Sequence, residues 1–131
     1  MRESILKNKM ILAVDDEPDI LNVMEEEILE ACPDCKFHKA TNFNEAVEKI
    51  ASSNYDMVIL DILGVQGFRL AELAIRRRLP VTLLTVYPFS PDVLKNSFQI
   101  KAQGYFAKER LGDIVAFLEN ALKYQTCHVP C

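Results

Sequence analysis

Met10-Ile11-Leu12-Ala13-Val14-Asp15-Asp16 and Met57-Val58-Ile59-Leu60-Asp61 decide how this chain folds. Each is a short apolar run that ends abruptly in acid. Such runs, bounded by polar residues, read as strands buried on both faces of a parallel sheet. In an open parallel sheet, ligands bind outside the carboxyl ends of the strands. Three carboxylates delivered to that edge repel one another and resist ionising together unless a cation sits among them. The arrangement implies a hard metal, an unusual carboxylate, or both.

Working outward, the apolar runs alternate with amphipathic segments. Strands are expected over Lys9–Val14, Lys36–Ala40, Met57–Leu60, Val81–Leu84 and Gly104–Ala107. Helices are expected over Pro18–Glu30, Asn44–Ser52, Phe68–Arg77, Pro91–Ala102 and from Leu111 to Tyr124. In the first helix Ile20, Leu21, Met24, Ile28 and Leu29 recur at helical spacing, with most of its glutamates opposite them. Asn42 is the candidate N-cap of the second, and Glu45 three residues on suits a capping box. Five strand–helix repeats give an α/β fold, a doubly wound five-stranded parallel sheet of flavodoxin-like order 2-1-3-4-5. That order puts its switch point between the first and third strands, the two that carry Asp15, Asp16 and Asp61.

Composition sets the outer bounds. One domain fits 131 residues, expected over 1–125 with a tail over 126–131. Half the residues are hydrophobic and 26% charged, an ordinary globular balance. A formal charge of -4 speaks against a nucleic-acid partner. Neither a membrane-length apolar run nor a signal-peptide core is visible, so a cytoplasmic protein without membrane contact is expected.

The fourth and fifth strands end in the same manner, at Thr85 and at Lys108. One sheet edge thus gathers three carboxylates, a hydroxyl and an ammonium. Oxygen ligands suit Mg²⁺, which is commonly held by one or two carboxylates together with phosphate oxygens. A carboxylate can itself attack phosphorus and become an aspartyl-phosphate. A lone aspartate after a strand is usually a turn or cap residue. The combination is what raises this set above that reading.

Ala13-Val14-Asp15-Asp16-Glu17-Pro18, Val58-Ile59-Leu60-Asp61, Leu84-Thr85 and Tyr105-Phe106-Ala107-Lys108 resemble the receiver domains of bacterial response regulators. The resemblance runs over about residues 9–124. It implies that Asp61 accepts the phosphoryl group. Asp16 would ligate Mg²⁺ directly, Asp15 through water or by positioning, and the Leu63 carbonyl would complete the protein's metal ligands alongside Asp61. Lys108 would pair with one phosphoryl oxygen, and Thr85 would donate to another and move toward it. Tyr105 stands where the family's switching aromatic stands, although a strand tyrosine also serves as plain packing.

Three departures from the family surround this set. The stretch Ile62-Leu63-Gly64-Val65-Gln66-Gly67-Phe68 is short and lacks the usual Met-Pro pair, with Gly67 in place of a later glycine. Val86 follows Thr85 where Ala or Gly is usual. Its extra methyls are expected to slow both bulky donors and hydrolysis, rates that Val86→Ala should change. Glu109 follows Lys108 where proline is usual. A trans bond is expected there, because a non-proline cis bond costs about 2.5–4 kcal/mol.

The resemblance implies a phosphorylation-dependent signalling switch. Its partners would be a sensor histidine kinase or phosphotransfer protein and a downstream protein met through the fourth helix, fifth strand and fifth helix. Such a receiver is not an enzyme beyond its own phosphorylation and dephosphorylation. No output domain is expected within these residues. Leu94, Phe98 and Ile100 offer a partner or homodimer face, or simply core. The alternative is a pseudo-receiver, a binding module indifferent to phosphate. A phosphatase or mutase is disfavoured, because Leu63 stands where its second aspartate would be.

Four cysteines, Cys32, Cys35, Cys127 and Cys131, follow the first and last helices, with His128 between the second pair. Free thiols, a redox disulfide and a zinc set all fit that spacing. Arg76-Arg77-Arg78 ends the third helix and reads as a solvated end favoured by the helix dipole.

Overall fold

Five parallel strands form one sheet in the order β2-β1-β3-β4-β5. The computed structural model describes residues 5–62, 65–85 and 104–126. The strands are β1 (Met10–Val14), β2 (Lys36–Ala40), β3 (Met57–Asp61), β4 (Val81–Thr85) and β5 (Gly104–Ala107). The helices are α1 (Pro18–Ala31), α2 (Phe43–Ser52), α3 (Gly67–Arg76) and a C-terminal helix (Ile114–Thr126). The fold class and strand order expected from the apolar runs are those observed.

The sheet is buried on both sides because each central strand sends alternate residues to opposite cores. Leu12, Val14, Val58, Leu60 and Leu83 join Ile50, Leu70 and Ala74 in the core under α2 and α3. Ile11, Ala13, Ile59 and Leu84 join Met24, Ile28, Ile114 and Leu118 in the core under α1 and the C-terminal helix. The second core also holds Leu6, which precedes β1 and is fully buried. Its turn is tied down by Asn8 N–H donating to the Asp34 carbonyl at 3.1 Å.

Local signals explain most boundaries. Asn42 Oδ1 accepts from Glu45 N–H at 2.9 Å, the expected cap of α2. Glu45 Oε1 reaches back to Thr41 N–H at 2.9 Å rather than to Asn42, so the capping box closes one residue early. The last helix starts later than its periodicity suggests. Lys108–Asp113 forms a 3₁₀ segment, and Arg110 leaves helical geometry at φ -112°, ψ 28°. No cis peptide bond occurs among the described residues, so the Lys108–Glu109 bond is trans.

The arginine run is not simply a solvated end. Arg77 Nη1 donates to the carbonyls of Ile50 and, at 2.8 Å, Ser53, while Nη2 donates to Asn54 Oδ1 at 3.1 Å. Arg77 therefore satisfies carbonyls at the end of α2, which helices otherwise leave unpaired.

Cys32 and Cys35 are buried free thiols. Burial, then the neighbouring Cys32 and Asp56, pushes the Cys35 thiol up to about 11, so it stays protonated and packs as a small apolar group. Cys127, Cys131, His128, Leu63, Val86 and the helix expected over Pro91–Ala102, with Leu94, Phe98 and Ile100, lie outside the described residues. No helix among the described residues is long and apolar enough to cross a membrane.

Candidate functional site

Strand register builds the site. Val14 pairs with Leu60, which sets Asp15 beside Asp61. Asp61 pairs with Leu84, and Thr85 with Ala107, so Thr85 and Lys108 arrive at the same carboxyl edge. Asp15, Asp16 and Asp61 each bring one carboxylate oxygen within 4.8 Å of the others. Of the expected set, the structure brings together Asp15, Asp16, Asp61 and Lys108. Thr85 and Tyr105 are placed in β4 and β5 by their backbone, and their side chains lie outside the described residues. Leu63 does so entirely.

Lys108 is the cation of the site. Its Nζ lies 3.0 Å from Asp15 Oδ2, 3.4 Å from Asp61 Oδ1 and 3.5 Å from Glu17 Oε1. Burial works against the ammonium, but contact with Asp15 and the charges of Asp15 and Asp61 outweigh it. Its pKa therefore sits above the ordinary lysine value. Asp15 is fully closed to solvent. Burial pushes its carboxyl up to about 6, against the opposing pull of Glu17 N–H and Lys108 and with a further rise from Asp61.

Asp15 also organises the backbone. Its Oδ1 accepts from Glu17 N–H at 2.9 Å, which satisfies a donor at the start of α1 where Glu17 itself supplies no side-chain cap. Its Oδ2 has the Lys108 charge beside it yet no aligned hydrogen-bond donor among the described residues. A buried carboxylate oxygen met only by the Lys108 charge among the described residues, two further acids within reach and an all-oxygen donor set fit a small hard cation.

The turn after Asp61 shows why Gly67 is glycine. Among the described residues of the turn the left-handed one is Gln66, at φ 55°, not Gly67. Gly67 serves close approach instead. A Cβ there would stand 2.1 Å from the Asp61 carbonyl oxygen and 2.8 Å from Ile62 Cα. Gly67 N–H closes the turn onto the Ile62 carbonyl at 3.2 Å. What requires glycine at position 67 is room rather than backbone angle.

Glu17 was not among the expected site residues. Its position directly after the acid pair was the available signal, but only the fold puts its side chain against Lys108.

A family model described as "Response regulator receiver domain" matches residues 11–119. The two-component response regulator ARR18 of Arabidopsis thaliana is 34% identical over 91 residues, which cover 65% of this chain and 14% of that protein. The chain thus spans a small part of that relative's length, and the likeness is not confined to bacterial regulators. Among solved structures, a CheY-like receiver domain protein from Methanospirillum hungatei JF-1 matches with a TM-score of 0.80 at 24% identity, covering 90% of this chain and 96% of that one. The phosphorylated cyanobacterial phytochrome response regulator RcpA matches with a TM-score of 0.76 at 18% identity, covering 95% of this chain and 99% of that one. At these identities the structural likenesses speak for the fold alone.

Proposed function

The chain belongs to the response regulator receiver domain family, and from that premise we propose that it is a phosphorylation-dependent switch with Asp61 as phosphoacceptor. The observation that carries the reading is the shared contact of Lys108 Nζ with Asp15 and Asp61, at 3.0 Å and 3.4 Å, beside the third acid. A phosphohistidine on a sensor histidine kinase or phosphotransfer protein would be the donor. One Asp61 oxygen forms the new bond to phosphorus as the phosphorus–nitrogen bond breaks, and the electron pair stays with the imidazole.

Asp15, Asp16 and Asp61, with the Leu63 carbonyl, are the residues that would hold Mg²⁺, whose chemistry is to neutralise charge on the transferring group. Positioning and charge neutralisation carry most of such a transfer. Lys108 offsets the charge of the carboxylates before transfer and pairs with a phosphoryl oxygen after it. Thr85 donates to another oxygen, and its displacement with that of Tyr105 would pass the state to a partner-binding surface. That surface, drawn from the fourth helix, fifth strand and last helix, would meet a downstream protein or a second copy of the chain.

The test is phosphorylation itself. Incubation with acetyl phosphate and Mg²⁺ should add one phosphoryl group by intact mass, and Asp61→Asn should not gain it. A wild type that never gains the group, and does not bind beryllofluoride with Mg²⁺, leaves the phosphate-indifferent binding module as the reading.

A further inference from the structure

The geometry points to Glu17 as a residue that selects among phosphodonors by charge; this inference rests on Asp61 being the phosphoacceptor. The order of exposure carries it. Asp15 is closed to solvent, the Lys108 side chain is 10% exposed, and the Glu17 side chain is 61% exposed. Glu17 thus sits on the solvent side of Lys108, against the same ammonium nitrogen that touches Asp61. A donor approaching Asp61 from solvent therefore comes within range of the Glu17 carboxylate as well as of the positive charge it needs.

An exposed ion pair of this kind adds little to stability. Its charge still acts on what approaches. Glu17 Oε1 and Asp61 Oδ1 lie against one Nζ at 3.5 Å and 3.4 Å, so they are separated by at most about 7 Å. Over that distance, in a largely aqueous setting, each extra negative charge on a donor is disfavoured about threefold by Glu17, and more where water is excluded. Small dianionic donors are penalised most. A donor delivered by a protein, whose own surface can place a cation opposite Glu17, escapes the penalty.

Acetyl phosphate and phosphoramidate separate the charge effect from general reactivity. Near neutral pH the first is doubly negative and the second carries one negative charge less. In both, an Asp61 oxygen forms the bond to phosphorus. The bond to acetate or to nitrogen breaks, and the electron pair leaves with acetate or with ammonia. General effects on reactivity cancel in the ratio of the two rates, which therefore reports the charge effect of Glu17, whether it acts on the donor directly or by offsetting Lys108.

The experiment compares initial rates for wild type, Glu17→Gln and Glu17→Lys with Mg²⁺, at low salt and at high salt. Glu17→Gln should raise the acetyl phosphate to phosphoramidate ratio about threefold at low salt, and Glu17→Lys should raise it further. The differences should fade at about 1 M salt, where the screening length is about 3 Å. A ratio unmoved by Glu17→Gln, or moved equally at both salts, in a protein that is phosphorylated overturns the inference alone. A wild type that takes phosphoryl from neither donor overturns the phosphoacceptor reading and the inference with it.

Discussion

Replacing Asp15 by Asn removes a charge from the one acid of the site that is fully closed to solvent. The ordinary carboxyl value of 3.8 rises to about 6 in the fold, chiefly through burial. At about 1.36 kcal/mol per pKa unit, that shift makes the ionised Asp15 cost the metal-free fold about 3 kcal/mol at neutral pH. Asn keeps an Oδ1 to accept from Glu17 N–H, but its amide then faces Lys108 Nζ where Asp15 Oδ2 stood 3.0 Å away. Two donors face to face return part of the gain, so Asp15→Asn should stabilise the metal-free protein by about 1–2 kcal/mol. The pH dependence has a definite sign. A carboxyl raised in the fold contributes nothing unfavourable below about pH 4, where both states are protonated. Its cost grows as pH rises and is complete above about pH 6, so stability falls across that window. Urea unfolding in EDTA between acidic and neutral pH measures this directly. The wild type should lose stability on going up through the window, and Asp15→Asn should not, so the two curves converge in acid. Adding Mg²⁺ should then stabilise the wild type more than the variant, because binding to the folded state adds to its stability. A variant no more stable than wild type at neutral pH, with curves that stay parallel, would refute the reasoning.

Gly67→Ala should cost about 1–3 kcal/mol or more by overpacking, since its Cβ would meet the Asp61 carbonyl oxygen at 2.1 Å. It should also slow phosphorylation of Asp61 by roughly 100-fold, if displacing the acceptor by about 1 Å has its usual effect; unchanged rates by intact mass would disprove the close approach. Leu6→Ala should cost about 2–5 kcal/mol in urea unfolding, because this fully buried side chain completes the core under α1. Arg77→Met should lower stability by about 1–2 kcal/mol through the lost bonds to Ile50, Ser53 and Asn54. A thermal melt identical to wild type would mean that water serves those carbonyls equally well.

The fold was legible because β1, β3 and β4 are dominated by consecutive apolar residues rather than alternating ones, a pattern that a sheet covered on both faces requires. The acids were legible for the same reason, since each interrupts such a run. Contacts that depend on register between distant segments were not. Glu17 follows Asp16 in the chain, but nothing local says that a lysine ninety-odd residues later arrives 3.5 Å from it. Arg77 reads as a helix-end charge until α2 is packed beside α3, when its guanidinium finds the neighbouring helix's carbonyls. Leu6 precedes the first strand in a mixed segment with no period, and only the meeting of α1, β1 and the C-terminal helix gives it a place to be buried. The last helix began late for a related reason: Leu111 fits the apolar stripe and is buried, yet Arg110 breaks the helical geometry before it.

The charge balance at the carboxyl edge favours the proposed cation site over a purely structural salt bridge. Lys108 faces Asp15, Asp61 and Glu17, with Asp16 beside them. One ammonium cannot neutralise four carboxylates, and Asp15, raised chiefly by burial, is raised further by the Asp61 charge. A buried ion pair that served stability alone would be matched in charge and satisfied in hydrogen bonds. Here Asp15 Oδ2 lacks an aligned donor while two continuous cores flank the strands that hold it. The cores are what let the fold tolerate an edge left negative and incompletely bonded. In the proposed switch, phosphorylation of Asp61 would add further negative charge to that edge, so transfer without a divalent cation would widen the excess of carboxylate charge over Lys108. Titration with Mg²⁺ should therefore strengthen phosphorylation and folding together in the wild type, whereas a site already balanced by Lys108 would gain neither.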